Sequence, residues 1–107
     1  MPETFKIPGS KKIQNKDLPV FTRLLGAMLD AGMPLVQVLE TLETETENKN
    51  FKPVVSGLKE YIEAGESLSQ AMVHYPTVFD NLYMSMIQAG ETSGMMAEIS
   101  MKLAGYL

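Results

Sequence analysis

The chain has 107 residues, enough for one small domain with a modest core, and 45% of them are apolar while 21% are charged. Nine basic residues against thirteen acidic ones give a net charge of −4, which argues against a nucleic-acid-binding domain because such domains carry clustered basic residues. The sequence has no cysteine and a single histidine, so it excludes disulfides, thiol nucleophiles, thiolate metal sites and histidine-rich metal sites.

The N-terminal region shows no sustained periodicity. Residues 1–14 contain two prolines, a Gly-Ser pair and two adjacent lysines, so we expect a flexible leader without the apolar stretch of a secretory signal. No part of the sequence approaches the roughly 18 to 20 apolar residues that a membrane-spanning helix needs. Residues 15–107 are predicted to form a single helical domain, as a fragment of a longer protein.

The first half of this domain repeats its apolar residues at steps of three and four, which predicts three helices. Polar residues and Pro34 can start these helices, and glycines can end them by adopting the left-handed conformation. The predicted starts and ends are Asn15 or Asp17, Gly32, Pro34, Asn48 or Asn50, and Gly65. The predicted inward residues are Leu18, Phe21, Leu24, Leu25, Met28, Leu29, Leu35, Val38, Leu39, Leu42, Phe51, Val54, Val55, Leu58 and Ile62.

The second half predicts three further helices. Ser67 and Gln70 have the spacing of a capping box, in which each side chain binds the other residue's backbone N–H, and they start a short fourth helix before Pro76. A fifth helix is expected from about Asp80 to Ala89. Its predicted end is Gly90, and the sixth helix is expected to begin near Met95. The predicted inward residues of these last two helices are Phe79, Leu82, Met86, Ile87, Met95, Ile99, Leu103 and Leu107.

No segment alternates with the period of two that is typical of a strand. The sequence therefore predicts an all-α fold, an antiparallel six-helix bundle with short connections.

The sequence GETSG at residues 90–94 has two interpretations, a phosphate-binding loop or a turn between two helices. A phosphate loop of the G-x-x-x-x-G-K-[ST] type needs its lysine to reach the phosphates and its hydroxyl to bind magnesium. Here the glycines are one residue too close, Met95 follows the second one, and Glu91 would place a carboxylate against the anion. The pattern favours the turn.

Other titratable residues do not form a recognisable site. His74 lies near a predicted helix end, where capping or solvent exposure explains it better than catalysis. Glu40, Glu43, Glu45 and Glu47 lack the order of a calcium loop and are interpreted as a solvated helix face. We assign no catalytic, metal-binding or cofactor-binding residue.

Several apolar residues fall outside the predicted inward stripes. If they cluster on one side of the molecule, they form a surface for self-association or for a partner protein. These candidate interface residues are Val36, Tyr83, Met84, Met101 and Tyr106.

Four blocks occur along the chain in order, namely LPVFTRLLGAMLDAGMPLVQVLETL, EAGESLSQAM, YPTVFDNLYMSMIQAGETSGMM and KLAGYL. This series, over about residues 17–107, resembles the soluble repeat of the type II secretion F / type IV pilus assembly C family. The motif positions that match are Phe21, Arg23, Gly32, Pro34, Leu35, Gly65, Ser67, Leu68, Pro76, Phe79, Gly90, Glu91 and Gly94. The polar matches Arg23 and Glu91 are expected to pair with each other or with backbone at a turn. The chain departs from the family at Met96 and Ala97, where relatives have a leucine and an aspartate, which argues against a metal site there.

The resemblance implies the first cytoplasmic domain of an inner-membrane platform protein, with no enzymatic activity and no cofactor. The implied location is the cytoplasmic face of the bacterial inner membrane, with membrane contact only through the parent protein. The implied partners are the assembly ATPase and the inner-membrane alignment proteins, with pilins or pseudopilins engaged by the whole machine, and weak homodimerisation is also expected. Two alternatives stay open, a nucleotide-handling module that uses residues 90–94 and a small soluble helical adaptor unrelated to secretion.

Overall fold

The structure of the chain is a computed structural model that describes residues 17–107. The predicted leader and the candidate cap Asn15 lie outside the described residues. Within the described part the chain forms helices and no strand, so the predicted all-α six-helix bundle is confirmed. The helices are α1 (Leu18–Asp30), α2 (Leu35–Glu45), α3 (Lys52–Glu63), α4 (Leu68–Met72), α5 (Asn81–Ser93) and α6 (Met96–Tyr106).

Several predicted helix ends are confirmed. Gly32 and Gly65 follow α1 and α3 with φ of 90° and 108°, the left-handed region that favours glycine. The Gln70 N–H donates to Ser67 Oγ at 3.2 Å and the Ser67 N–H donates to Gln70 Oε1 at 2.9 Å, which completes the capping box. Because α4 has only five residues, this cap is a large part of what keeps it helical.

Asp17 does not cap α1, although it stands at the N-cap position. Its backbone is already helical, with φ −91° and ψ −31°, so its side chain does not bind the N–H groups of the first turn. Instead, Asn48 Nδ2 donates to Asp17 Oδ2 at 2.7 Å. Asn48 Oδ1 accepts from the Asn50 N–H at 2.7 Å, while the N-cap of α3 is Phe51. These side chains therefore join the start of α1 to the α2–α3 connection.

The core lies between α1 and the helices that surround it. Helix α1 packs against α6 and α2, while α3 packs against α2 and α4, and α5 packs against α4 and α6. Three phenylalanines at the centre are at most 3% exposed, with ring centroids 5.4 Å apart for Phe21 and Phe51 and 6.4 Å apart for Phe21 and Phe79. Burying each ring stabilises the fold by roughly 1.5–3 kcal/mol, so residues from three parts of the chain hold one core together.

Of the predicted inward residues near α5, Phe79 and Ile87 are buried and Met86 packs against the core, but Leu82 is wrong. Leu82 is 60% exposed, while its neighbour Tyr83 is 2% exposed, so the placement of Tyr83 on an exposed surface is also wrong. Phe79 precedes α5 and does not share its helical spacing, because the helix begins only after Asp80, whose carboxylate accepts from the Tyr83 N–H at 2.8 Å. The buried face of α5 consequently contains Tyr83, Ile87 and Gly90, at helical spacing.

Two predicted inward residues of α6 are also exposed. Met95 is 48% exposed and Leu107 is 51% exposed. Met95 is the N-cap of α6 and Leu107 is its C-cap, so neither side chain follows the helical stripe that buries Leu103.

Candidate functional site

The GETSG sequence forms the last turn of α5. The helix continues to Ser93, so the prediction that it closes at Gly90 is wrong. The C-cap is Gly94, with φ 78°, and the N–H groups of Gly94 and Met95 both donate to the Gly90 carbonyl, at 3.0 and 3.1 Å. Because the backbone N–H groups of this segment are used by α5 and its cap, they do not form a cradle for a phosphate.

Gly90 is buried where α6 crosses α5. A Cβ atom at Gly90 would lie 3.1 Å from the Cα of Met96, closer than side-chain carbons normally approach a backbone. Glycine at this position therefore allows the close approach of the two helices, which explains its place in the motif without any ligand.

The carboxylate of Glu91 joins α5 to α4. Its Oε2 accepts from the Ser69 backbone N–H at 3.1 Å and its Oε1 accepts from Ser69 Oγ at 2.6 Å. The Ser69 N–H belongs to the first turn of α4, where helical N–H groups lack intrahelical partners, and a negative charge there also interacts favourably with the helix dipole. Of the two pairings expected for Glu91, the structure shows the one with backbone, whereas Arg23 is exposed on α1.

The five candidate interface residues do not come together on one surface. Tyr83 is buried, while Val36 and Met84 are half-buried. Met101 is 49% exposed and Tyr106 is 72% exposed, but five positions separate them, which places them about 140° apart around the axis of α6.

A different set of exposed apolar side chains lies along α6. Met95 is exposed at the N-cap of α6 and Tyr106 is exposed at the last residue of the helix, while Ile99 between them is partly buried against the core. We call the exposed residues Met95 and Tyr106 the α6 stripe. Sequence reasoning included Met95 and Ile99 in the core. Ile99 does pack against the core, whereas Met95, at the N-cap, is 48% exposed. Further exposed apolar residues are Val20 on α1, Leu82 on α5 and Val73, the C-cap of α4.

Tyr83 forms a buried hydrogen-bonded network with α1. Thr22 Oγ donates to the Leu18 carbonyl at 2.7 Å, and the Tyr83 hydroxyl lies 2.7 Å from the same Thr22 oxygen. Since the Thr22 hydrogen is used, Tyr83 donates to Thr22 Oγ. Burial raises the pKa of Tyr83 far above its ordinary value, and the hydrogen bond with Thr22 only partly opposes this.

This buried tyrosine predicts a pH dependence of stability. In the unfolded chain tyrosine ionises near pH 10, whereas folded Tyr83 keeps its proton, so the folded state binds more protons above about pH 10 and stability falls by up to about 1.4 kcal/mol per pH unit. Tyr83→Phe should lower the free energy of unfolding by about 0.5–1.5 kcal/mol at neutral pH, because the hydrogen bond to Thr22 is lost. That difference should shrink and vanish above about pH 10, because phenylalanine does not titrate.

Urea unfolding of wild type and Tyr83→Phe across this pH range measures the effect. The other tyrosines and the lysines are common to both proteins, so their titration largely cancels in the difference. A difference in unfolding free energy that stays constant through about pH 11 would contradict the buried placement of Tyr83.

The remaining polar contacts are at the surface. His74 stacks on Tyr61 with ring centroids 3.8 Å apart, and its Nε2 lies 3.2 Å from Glu66 Oε1. Lys59 pairs with Glu43 at 3.4 Å, and the hydrogen bond and charge of Glu43 raise the pKa of Lys59. Among residues 17–107, histidine and carboxylate side chains do not gather in the groups of three that a metal ion would need.

The helices of residues 17–107 are all too short or too polar to cross a bilayer. Fold and surface together define a small all-helical domain in which the motif carboxylate of Glu91 is used within the fold. A family model described as type II secretion system (T2SS), protein F, matches residues 21–107, and the chain belongs to this family.

Individual relatives come from two kinds of machine. The chain is 41% identical over 100 residues to a type IV pilus assembly protein PilC of Myxococcus xanthus, covering 94% of this chain and 24% of the relative. It is 39% identical over 92 residues to PilC of Thermus thermophilus, covering 86% and 22%. It is 33% identical over 94 residues to the type II secretion system protein F of Vibrio cholerae, covering 88% and 23%. The chain spans about a quarter of the length of these curated relatives.

Proposed function

We propose that this chain is a non-enzymatic scaffold domain of the inner-membrane platform protein of a type IV pilus or type II secretion machine. The observation that carries the proposal is the similarity over 94% of the chain to a protein named for type IV pilus assembly. The geometry supports it, because Gly90, Glu91 and Gly94 have structural roles within the fold. The solvent-exposed faces of the helices are then available for contacts with other proteins.

In this proposal the domain lies at the cytoplasmic face of the inner membrane and contacts the assembly ATPase and the inner-membrane alignment proteins. Pilins or pseudopilins are engaged by the whole machine. We assign one such contact to the α6 stripe, where Tyr106 is 72% exposed and Met95 is 48% exposed. Tyrosine and methionine are enriched in the cores of protein interfaces, so the exposure of both along α6 favours a protein partner.

The two alternatives are less well supported. A nucleotide-handling module would need free backbone N–H groups at residues 90–94, and these are used by α5 and its cap. An adaptor unrelated to secretion does not account for membership of the protein F family.

Affinity measurements with the purified assembly ATPase and alignment proteins test the proposal. We expect the double variant Met95→Ser with Tyr106→Ser to weaken binding to one of them by about tenfold or more, as loss of an exposed aromatic anchor does. The matched control is Val73→Ser with Leu82→Ser, which removes equally exposed apolar side chains from α5 and the end of α4.

Both double variants should unfold at the same temperature as wild type, because the changed residues are exposed. Absence of wild-type binding to any of these proteins would contradict the proposed function. An equal loss of binding affinity in both double variants would contradict the assignment of the contact to the α6 stripe.

A further inference from the structure

The outward face of α5 carries no charged side chain. Glu91 is the one charged residue of this helix, and its carboxylate is bound to Ser69 of α4. Beyond the first residue of the helix, the exposed positions recur at steps of three and four and fall within an arc of about 140° around the helix axis. We call these exposed residues the α5 face, and they are Leu82, Ser85, Gln88, Ala89, Thr92 and Ser93.

The uncharged surface continues onto α4. A groove of about 270 Å³ between the two helices is lined by Gln70 and Val73 on one side and by Ser85 and Gln88 on the other. Val73 and Leu82 are each 60% exposed. The other four helices of residues 17–107 each expose charged side chains, among them Arg23, Glu40, Glu60 and Lys102. Within the part of the chain that the structure describes, α4 and α5 are therefore the helices with an outward surface free of charge.

Charge decides which partner this surface fits. The chain has a net charge of −4, and residues 17–107 contain five basic and twelve acidic side chains, so two copies repel each other over most of their surfaces. A partner with a charged docking surface would leave its charges unpaired against the α5 face, which opposes binding. A second copy that presents the same uncharged face meets neither obstacle. The central part of a protein interface is also typically depleted of charged residues.

We propose that two copies of the chain pair through their α5 faces, about a two-fold axis that passes near Ser85 and Ala89. Two-fold symmetry places the same patch on both copies and runs the two α5 helices antiparallel, so their dipoles oppose each other favourably. The small side chains of Ser85 and Ala89 allow a close approach, while Leu82 and Val73 provide apolar contacts at the sides.

The expected dimer is weak. Helix α5 has 13 residues and is about 20 Å long, so its face is smaller than the patch of a standard stable complex. We therefore expect a dissociation constant on the order of 0.1–1 mM. Dilute affinity measurements lie well below this range, so the pairing does not affect the comparison of the α6 stripe with Val73 and Leu82. It also does not depend on the proposed function.

Sedimentation equilibrium of the full chain over a concentration series up to about 1 mM tests the pairing. The same series followed by NMR should shift the amide signals of residues 69–93 and leave those of α2 and α3 unchanged. Added salt should strengthen the dimer, because it screens the repulsion between two negatively charged copies.

Two double variants provide the decisive comparison. Ser85→Glu with Ala89→Glu places two negative charges at the centre of the α5 face and should raise the dissociation constant by about tenfold or more. Gln37→Glu with Thr44→Glu adds the same charge at exposed positions of α2 and should leave the dissociation constant close to that of wild type. All four positions are exposed and glutamate is a good helix former, so both variants should remain folded.

A wild-type chain that stays monomeric throughout the series would overturn the proposal. Equal weakening of the dimer in the two double variants would do the same, as would concentration-dependent shifts confined to the α6 stripe or a dimer that dissociates when salt is added. Weakening in the Ser85 and Ala89 variant alone, together with shifts confined to residues 69–93, supports it.

Discussion

Replacing Tyr83 with alanine should destabilise the domain by about 3–5 kcal/mol, as truncation of a buried aromatic side chain does, whereas Leu82→Ala should change stability by no more than about 0.5 kcal/mol. Tyr83 is 2% exposed, its ring centroid lies 5.1 Å from that of Phe79, and its hydroxyl bonds Thr22. Leu82 is 60% exposed at the adjacent position. Small domains have a total stability of about 5–15 kcal/mol, so the first change removes a large share of it.

Urea unfolding followed by far-ultraviolet circular dichroism measures both changes, and the neighbouring positions serve as controls for each other. A larger loss for Leu82→Ala than for Tyr83→Ala would mean that α5 is rotated about its axis. That rotation would bury Leu82, as predicted from the sequence, and contradict the observed burial of Tyr83 beside Thr22 of α1.

Glu91→Ala should lower the free energy of unfolding by about 1.5–3 kcal/mol, the usual cost of losing hydrogen bonds to a charged group. The change removes both acceptors from Ser69, which the carboxylate reaches at 2.6 Å and 3.1 Å, and leaves a first-turn N–H of α4 without its partner. Amide hydrogen exchange at Ser69 should accelerate as well, because α4 depends on contacts at its start.

Two further variants separate this contact from a general effect of charge. Glu91→Gln keeps one carbonyl oxygen that can accept from Ser69, so its loss of stability should lie between those of wild type and Glu91→Ala. Glu60→Ala removes the same charge from an exposed position of α3 and should stay within about 0.5 kcal/mol of wild type. If Glu60→Ala and Glu91→Ala lower the free energy of unfolding equally, the Glu91–Ser69 contact between α5 and α4 does not stabilise the fold.

Local signals in the sequence were enough to predict much of this fold. Gly32 and Gly65 end helices because their conformation is a property of the residue itself, and the Ser67–Gln70 box uses partners three positions apart. The resemblance to the protein F family also followed from motif order, and the match to residues 21–107 confirms it.

Features that depend on tertiary packing were not predictable in the same way. The choice between Gly90 and Gly94 as the end of α5 depends on α6, which packs against Gly90 too closely for a side chain. The partner of Glu91 is 22 positions away in sequence, so no local pattern identifies Ser69. Tyrosine and methionine occur both in cores and at interfaces, so Tyr83 and Tyr106 could not be told apart before the helix boundaries were known.

One comparison tests whether the GETSG segment has a structural role at the end of α5 or forms a recognition surface. It measures the affinity of folded Glu91→Ala for the assembly ATPase and alignment proteins together with the free energy of unfolding of the variant. We predict reduced stability and, at a temperature where the variant remains folded, the affinity of wild type. Wild-type stability together with lost binding would instead place Glu91 on a recognition surface and contradict the structural role assigned to the motif.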